Sequence, residues 1–184
     1  MKKYVDMEIL KNSVEWKYGY DEETDTDLDL EKFCEIYEAV CKGELYFKIE
    51  DIINIFKLFI IDDESVAEEM QGFQQDQITQ LTVLALRQND LGKSLLKYAQ
   101  GLKILFDYSQ LNKDYPIYLP EQIKGCLGYL IGKRYKIEQL KPFFEKINSY
   151  DEELRMILKE EVKRLIERGL SERTYLEEFL KNIK

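Results

Sequence analysis

A mainly α fold is predicted for this 184-residue chain. It reads as a multi-helix bundle or short helix-pair solenoid, with a small N-terminal β element at residues 13–20 and 45–49. Three observations lead there. Apolar residues recur at helical spacing over most of the length, only 9 Gly and 3 Pro interrupt them, and one stretch alone alternates with period two. A many-stranded sandwich or barrel needs a tight turn roughly every 8–12 residues, and turn formers are too scarce for that. Hydrophobic residues at 45% and charged residues at 34% are the proportions of a globular chain. The length suits one core, so residues 1–184 read as a single domain, with sub-lobes 1–111 and 120–184 if the loop 112–120 divides it.

Taken in order, residues 4–12 place Tyr4, Met7 and Leu10 three apart and predict a short helix. Val14, Trp16, Tyr18 and Tyr20 then alternate with Glu15, Lys17 and Gly19, the pattern of a half-buried strand, and residues 45–49 offer it a partner. An acidic run, Asp21, Glu22, Glu23, Asp25, Asp27 and Asp29, leads into a helix, because acids favour a helix start. Phe33, Ile36, Tyr37 and Val40 mark the buried face of that helix, and Gly43 stands where a C-cap glycine belongs.

The stretch 49–61 is apolar around most of its circumference, which predicts a central helix buried on several sides. Asp62, Asp63 and Ser65 introduce another helix that ends near Gly72 or bends there and continues to Leu86. After the polar break Gln88-Asn89-Asp90, a stripe of Leu91, Leu95, Tyr98, Leu102, Leu105 and Phe106 predicts a helix to about residue 110. Residues 112–120, with two prolines and no periodicity, are a loop.

Pro120 opens a helix through Leu127 and Leu130; residues 136–147 follow, with Pro142 in the first turn or at a kink. Leu154, Ile157, Leu158, Val162 and Leu165 lie on a further helix ended by Gly169, and Leu176, Phe179 and Leu180 on a last one. Leu91-Gly92 and Leu127-Gly128 repeat after 36 residues, near the tetratricopeptide period. Gln88 and Lys124 occupy that motif's aromatic positions, so helix pairs without a true repeat are expected.

The chain has no histidine. That removes the commonest general base, every Ser-His or Cys-His nucleophile and the commonest transition-metal ligand. Cys34, Cys41 and Cys126 form no CxxC pair. The first two lie about 10 Å apart along a helix, too far to bridge within it, and read as buried structural thiols. No leader is readable behind Met1-Lys2-Lys3, and the apolar run at 52–61 is too short to span a bilayer, so a cytoplasmic chain with no membrane partner is expected.

Several motifs stop short of chemistry. At Gly92-Lys93-Ser94 a phosphate-binding loop would need glycine where Arg87 stands, and a strand before it, so a helical hairpin over residues 77–108 is the reading, with Ser94 assisting the second helix's start. A calcium loop from Asp25 has carboxylates at its first, third and fifth positions but Leu30 for its glycine and Ile36 for its closing glutamate. Gly125, Gly128 and Gly132 give a helix one thin face. The neighbouring Lys133, Arg134, Lys136 and Lys141, with Tyr129 and Tyr135, read as a solvated face rather than a nucleic-acid site. Glu64 and Glu68 share a helical face that a magnesium site could use, but a helix N-terminus accounts for such acids without chemistry.

Residues 1–92 hold 9 basic and 22 acidic residues, net −13, and residues 93–184 hold 18 and 14, net +4. The expected function is therefore a non-catalytic protein-binding domain whose acidic N-terminal half engages a basic partner protein, with an immunity, antitoxin or anti-defence inhibitor as one biological form. The expected partner-binding residues are Trp16, Tyr18, Tyr20, Asp21, Glu22, Glu23, Asp25, Asp27 and Asp29, aromatics interleaved with acids. No cofactor, metal, nucleic acid or catalytic residue is expected. Equally open is that these aromatics are core and the acids a solvated loop. A helical scaffold that self-associates into a homo-oligomer is the alternative, and a carboxylate- and magnesium-dependent enzyme the remote one.

Overall fold

A computed structural model describes residues 1–14, 27–60, 68–111, 125, 127–130, 135–169 and 172–184, with side chains from residue 31 onward in the second helix and from 76 onward in the fourth. The fold is mainly α with a two-stranded parallel sheet. Strand β1 is Lys3–Tyr4 and β2 is Leu45–Tyr46. The helices whose bounds fall among the described residues are α1 (Met7–Val14), α2 (Asp27–Cys41), α3 (Asp51–Lys57), α4 (Glu68–Gln88), α5 (Leu91–Leu111), α6 (Lys141–Ile147), α7 (Glu152–Glu167) and α8 (Arg173–Lys181), and residues 127–130 are helical as well. A 3₁₀ turn, Ile137–Leu140, leads into α6.

The small β element lies near the N-terminus, as expected, but its first strand is not 13–20. Asp6 explains the difference: its carboxylate accepts the backbone N–H groups of Glu8 and Ile9 and starts α1 two residues after β1. Leu10 and Val14, one turn apart, then bury the same helical side, so Val14 serves a helix rather than a strand. Residues 15–20 fall outside the described residues. Leu45 instead pairs with Lys3, and Tyr46 with Tyr4.

Helix α2 buries Phe33, Ile36 and Val40 and ends in a Schellman motif. The N–H of Glu44 donates to Ala39 C=O, that of Gly43 to Val40 C=O, and Gly43 has φ 74°. Cys34 and Cys41 are exposed, contrary to their reading as buried thiols. Each lies about 100° round the helix from its buried neighbour, Phe33 or Val40, which turns it to solvent.

The apolar stretch 49–61 forms a shorter helix than its composition implies, since α3 starts at Asp51 and stops at Lys57. It still buries Ile52, Ile55 and Phe56 and packs against both α4 and α5. Helix α4 continues through Gly72 without ending there.

Helix α5 is the central one, about 31 Å long at 1.5 Å per residue. Leu95, Tyr98, Ala99, Leu102 and Leu105 are fully buried along it, and it packs on α3, α4 and α6. Gly101 lets α3 approach, because a Cβ there would overlap the Phe56 ring. The same ring starts an aromatic chain through four helices: Phe56 to Tyr98 at 5.5 Å, Tyr98 to Phe143 at 5.7 Å and Phe143 to Phe179 at 6.0 Å. Pro142 sits in the first turn of α6, where its missing N–H costs no hydrogen bond. Arg155 joins α7 to the end of α6 by donating to Asn148 and Tyr150 C=O. Lys103 of α5 pairs with Asp107 and reaches Asp151 before α7 at 3.2 Å.

Candidate functional site

Two of the false motifs have a structural account. Leu91 to Ser94 is the first turn of α5, not a phosphate loop. Asp90, rather than Ser94, starts the helix: its carboxylate accepts the Lys93 N–H at 3.0 Å and its C=O the Ser94 N–H at 2.8 Å. The Ser94 hydroxyl is buried with no hydrogen-bond partner among the described residues. The calcium-loop reading fails on geometry as well as residue type, because residues 27–36 are helical and Ile36 is core.

Gly125 lies against Thr79 so closely that a Cβ would strike the threonine methyl, whereas a Cβ on Gly128 would meet nothing within 4 Å among the described residues. Of the aromatics near the basic run, Tyr129 and Tyr135 join hydroxyl to hydroxyl at 3.2 Å. Burial, more than that contact, pushes the Tyr129 phenol well above its ordinary value. Lys133 and Arg134 lie outside the described residues, and so do Asp62, Asp63 and Glu64. Among the described residues no cluster of three His, Cys, Asp or Glu is arranged to hold a metal ion, and no helix is long and apolar enough to cross a membrane.

The expected partner-binding residues Trp16, Tyr18, Tyr20, Asp21, Glu22, Glu23 and Asp25 lie outside the described residues. Asp27 and Asp29 fall in the first turn of α2. Charge is distributed very unevenly around them. Residues 15–30 hold seven acids and one lysine, and residues 61–75 hold five acids and no base. Together they account for 11 of the 13 net negative charges of residues 1–92. Each segment runs into the N-terminus of a helix, α2 or α4.

A second candidate surface was not visible in the sequence. It is the β1–β2 pair with the turn that follows. Its back is closed by Gln88, the last residue of α4. The Gln88 side-chain carbonyl accepts the Phe47 N–H at 2.9 Å while its NH₂ donates to Leu45 C=O at 2.9 Å and Val40 C=O at 3.2 Å. Asn89 adds bonds to Phe47 C=O at 3.2 Å and Ala85 C=O at 2.8 Å. One primary amide thus supplies the donor and acceptor that a neighbouring strand would supply.

On the front, Lys2 lies over the Tyr46 ring at 4.7 Å and Lys48 over Tyr4 at 5.5 Å. Asp51, buried beneath the turn, accepts the Lys48 N–H at 2.7 Å, and its carboxyl is pushed up by burial. A groove of about 600 Å³ runs beside the pair, lined by Lys2, Lys3, Ala39, Gly43, Glu44 and Tyr46. A larger groove, about 710 Å³, lies between α6 and the end of α8 over Phe144 and Ile137; its rim mixes Glu138, Glu145 and Glu178 with Lys141 and Lys184. Comparison with protein-family models, with characterised proteins and with solved structures finds no match for this chain.

Proposed function

We propose that the chain is a non-catalytic protein-binding domain whose acidic N-terminal half engages a basic partner protein, in the manner of an immunity, antitoxin or anti-defence inhibitor. The observation that carries this reading is the concentration of 11 of that half's 13 net negative charges in residues 15–30 and 61–75. Charge concentrated in short runs raises the local potential and steers an oppositely charged partner far more than the same charge scattered evenly. Trp16, Tyr18 and Tyr20, beside the first run, are residue types that serve as interface anchors.

The test begins with co-purification of the partner from the native host. Its affinity is then measured at low and high salt for the native chain and for the triple variant Asp25→Lys, Asp27→Lys, Asp29→Lys. The native complex weakens as salt rises. The triple variant binds at least about tenfold more weakly, with a flatter salt dependence. An unchanged affinity and salt slope in the variant would overturn the reading.

A further inference from the structure

We infer that the outer edge of β1 is a docking site for an extended, acidic strand of a partner protein. Backbone geometry comes first. The Val5 N–H donates to Tyr46 C=O at 3.0 Å, and the register pairs Lys3 with Leu45 and Tyr4 with Tyr46. Strand groups alternate in direction, so the N–H and C=O of Lys3 and the N–H of Val5 face β2, whereas those of Tyr4 point to the outer edge. The two edges of the sheet are treated oppositely: Gln88 occupies the far edge of β2, while both β1 residues are exposed and, among the described residues, no helix is paired to their outer edge. An exposed strand edge with unpaired backbone groups is a template for one more strand.

Charge selects the occupant. Lys2 and Lys3 lie on β1 or directly before it and Lys48 lies over Tyr4, none of them in an ion pair with a described carboxylate. Lys42, by contrast, is taken up by Glu38 at 2.8 Å. Lys2 and Lys48 lie on the face of the sheet that carries Tyr4 and Tyr46, and Lys3 on the opposite one, so alternating Glu or Asp along an added strand meets Lys2 and Lys48, and Lys or Arg there is repelled. This surface is built from residues other than those of the acidic segments, and its failure leaves the function proposed above intact.

The probe is the end-capped peptide Thr-Glu-Val-Glu-Val-Glu-Thr, added to the intact chain. Its binding slows hydrogen exchange of the Tyr4 amide by about tenfold or more, while Val5, already bonded to Tyr46, changes little. N-methylating alternate peptide nitrogens, which removes donors and leaves charge, weakens binding at least about tenfold, as does the Lys2→Glu, Lys3→Glu variant. Because the modified peptide is tested on the native chain, that arm decides even if the variant folds poorly. Absence of binding overturns the inference. So does binding indifferent to N-methylation and to Tyr4, which is charge attraction alone. Protection of Tyr4 that rises with protein concentration without peptide also overturns it, since the occupant is then a second copy.

Discussion

The Tyr175 hydroxyl is buried with no hydrogen-bond partner among the described residues, and burial, with the nearby charges of Glu178 and Glu172, pushes its phenol up to about 12. An unfolded tyrosine ionises near 10, so between about pH 10 and 12 the unfolded chain loses a proton that the folded one keeps, and stability falls as pH rises through that window. Tyr175→Phe is expected to leave neutral-pH stability unchanged or slightly raised and to make the alkaline limb of a denaturant-midpoint profile shallower. A marked loss of stability at neutral pH would mean the hydroxyl has a partner. Gly101 presents the opposite case. Gly101→Ala inserts a methyl into the Phe56 ring, and the overpacking is expected to cost about 1–3 kcal/mol, read as a lower urea midpoint. The usual gain from removing a helical glycine, up to about 1 kcal/mol, does not offset it.

Helices were legible where their signals are local. Gly43 at a Schellman end, Pro142 in a first turn and Asp90 before α5 each announce a boundary within a few residues. Of the two strands, β2 at Leu45–Tyr46 falls within the expected 45–49, whereas β1 was not legible: two residues are too few for any periodicity, and Lys3 meets a partner 42 positions away. Alternation at Val14–Tyr20 drew the strand reading instead, although Val14 completes a helical face with Leu10. The thiols of α2 were misjudged through the general tendency of cysteine to be buried, when the angle from Phe33 and Val40 already pointed outward. Cys34 and Cys41 are accordingly expected to react with an aromatic disulfide reagent in the native state at rates near those in denaturant. Protection of both by orders of magnitude would place them back in the core.

Aromatic rings tie the N-terminal helices to the C-terminal ones. Phe56 of α3, Tyr98 of α5, Phe143 of α6 and Phe179 of α8 form a continuous series, and Phe143 contacts three other rings, those of Tyr98, Phe144 and Phe179. Phe143→Ala is expected to lower stability by about 3–5 kcal/mol. Far-UV circular dichroism should still show one thermal step, shifted downward. An early step confined to the signal of α7 and α8 would show instead that they unfold on their own. The candidate edge could not have been read from sequence for the same reason as β1, since it depends on Gln88, 41 positions beyond the Phe47 amide it satisfies. The acidic segments, by contrast, are a property of composition and were legible at once, whereas their geometry lies outside the described residues.

That glutamine has a consequence for colloidal behaviour. Removing its amide in Gln88→Ala leaves the buried Phe47 N–H and the Leu45 C=O without partners, a loss of about 2–3 kcal/mol. It also gives the sheet a second open edge, parallel to the first. A sheet open on both sides can grow by adding copies without closing, so the variant is expected to show concentration-dependent light scattering well below its unfolding temperature. If the variant is destabilised but stays monodisperse, the amide serves the fold alone. If scattering appears, this one side chain is what keeps a two-stranded sheet from becoming a fibre seed.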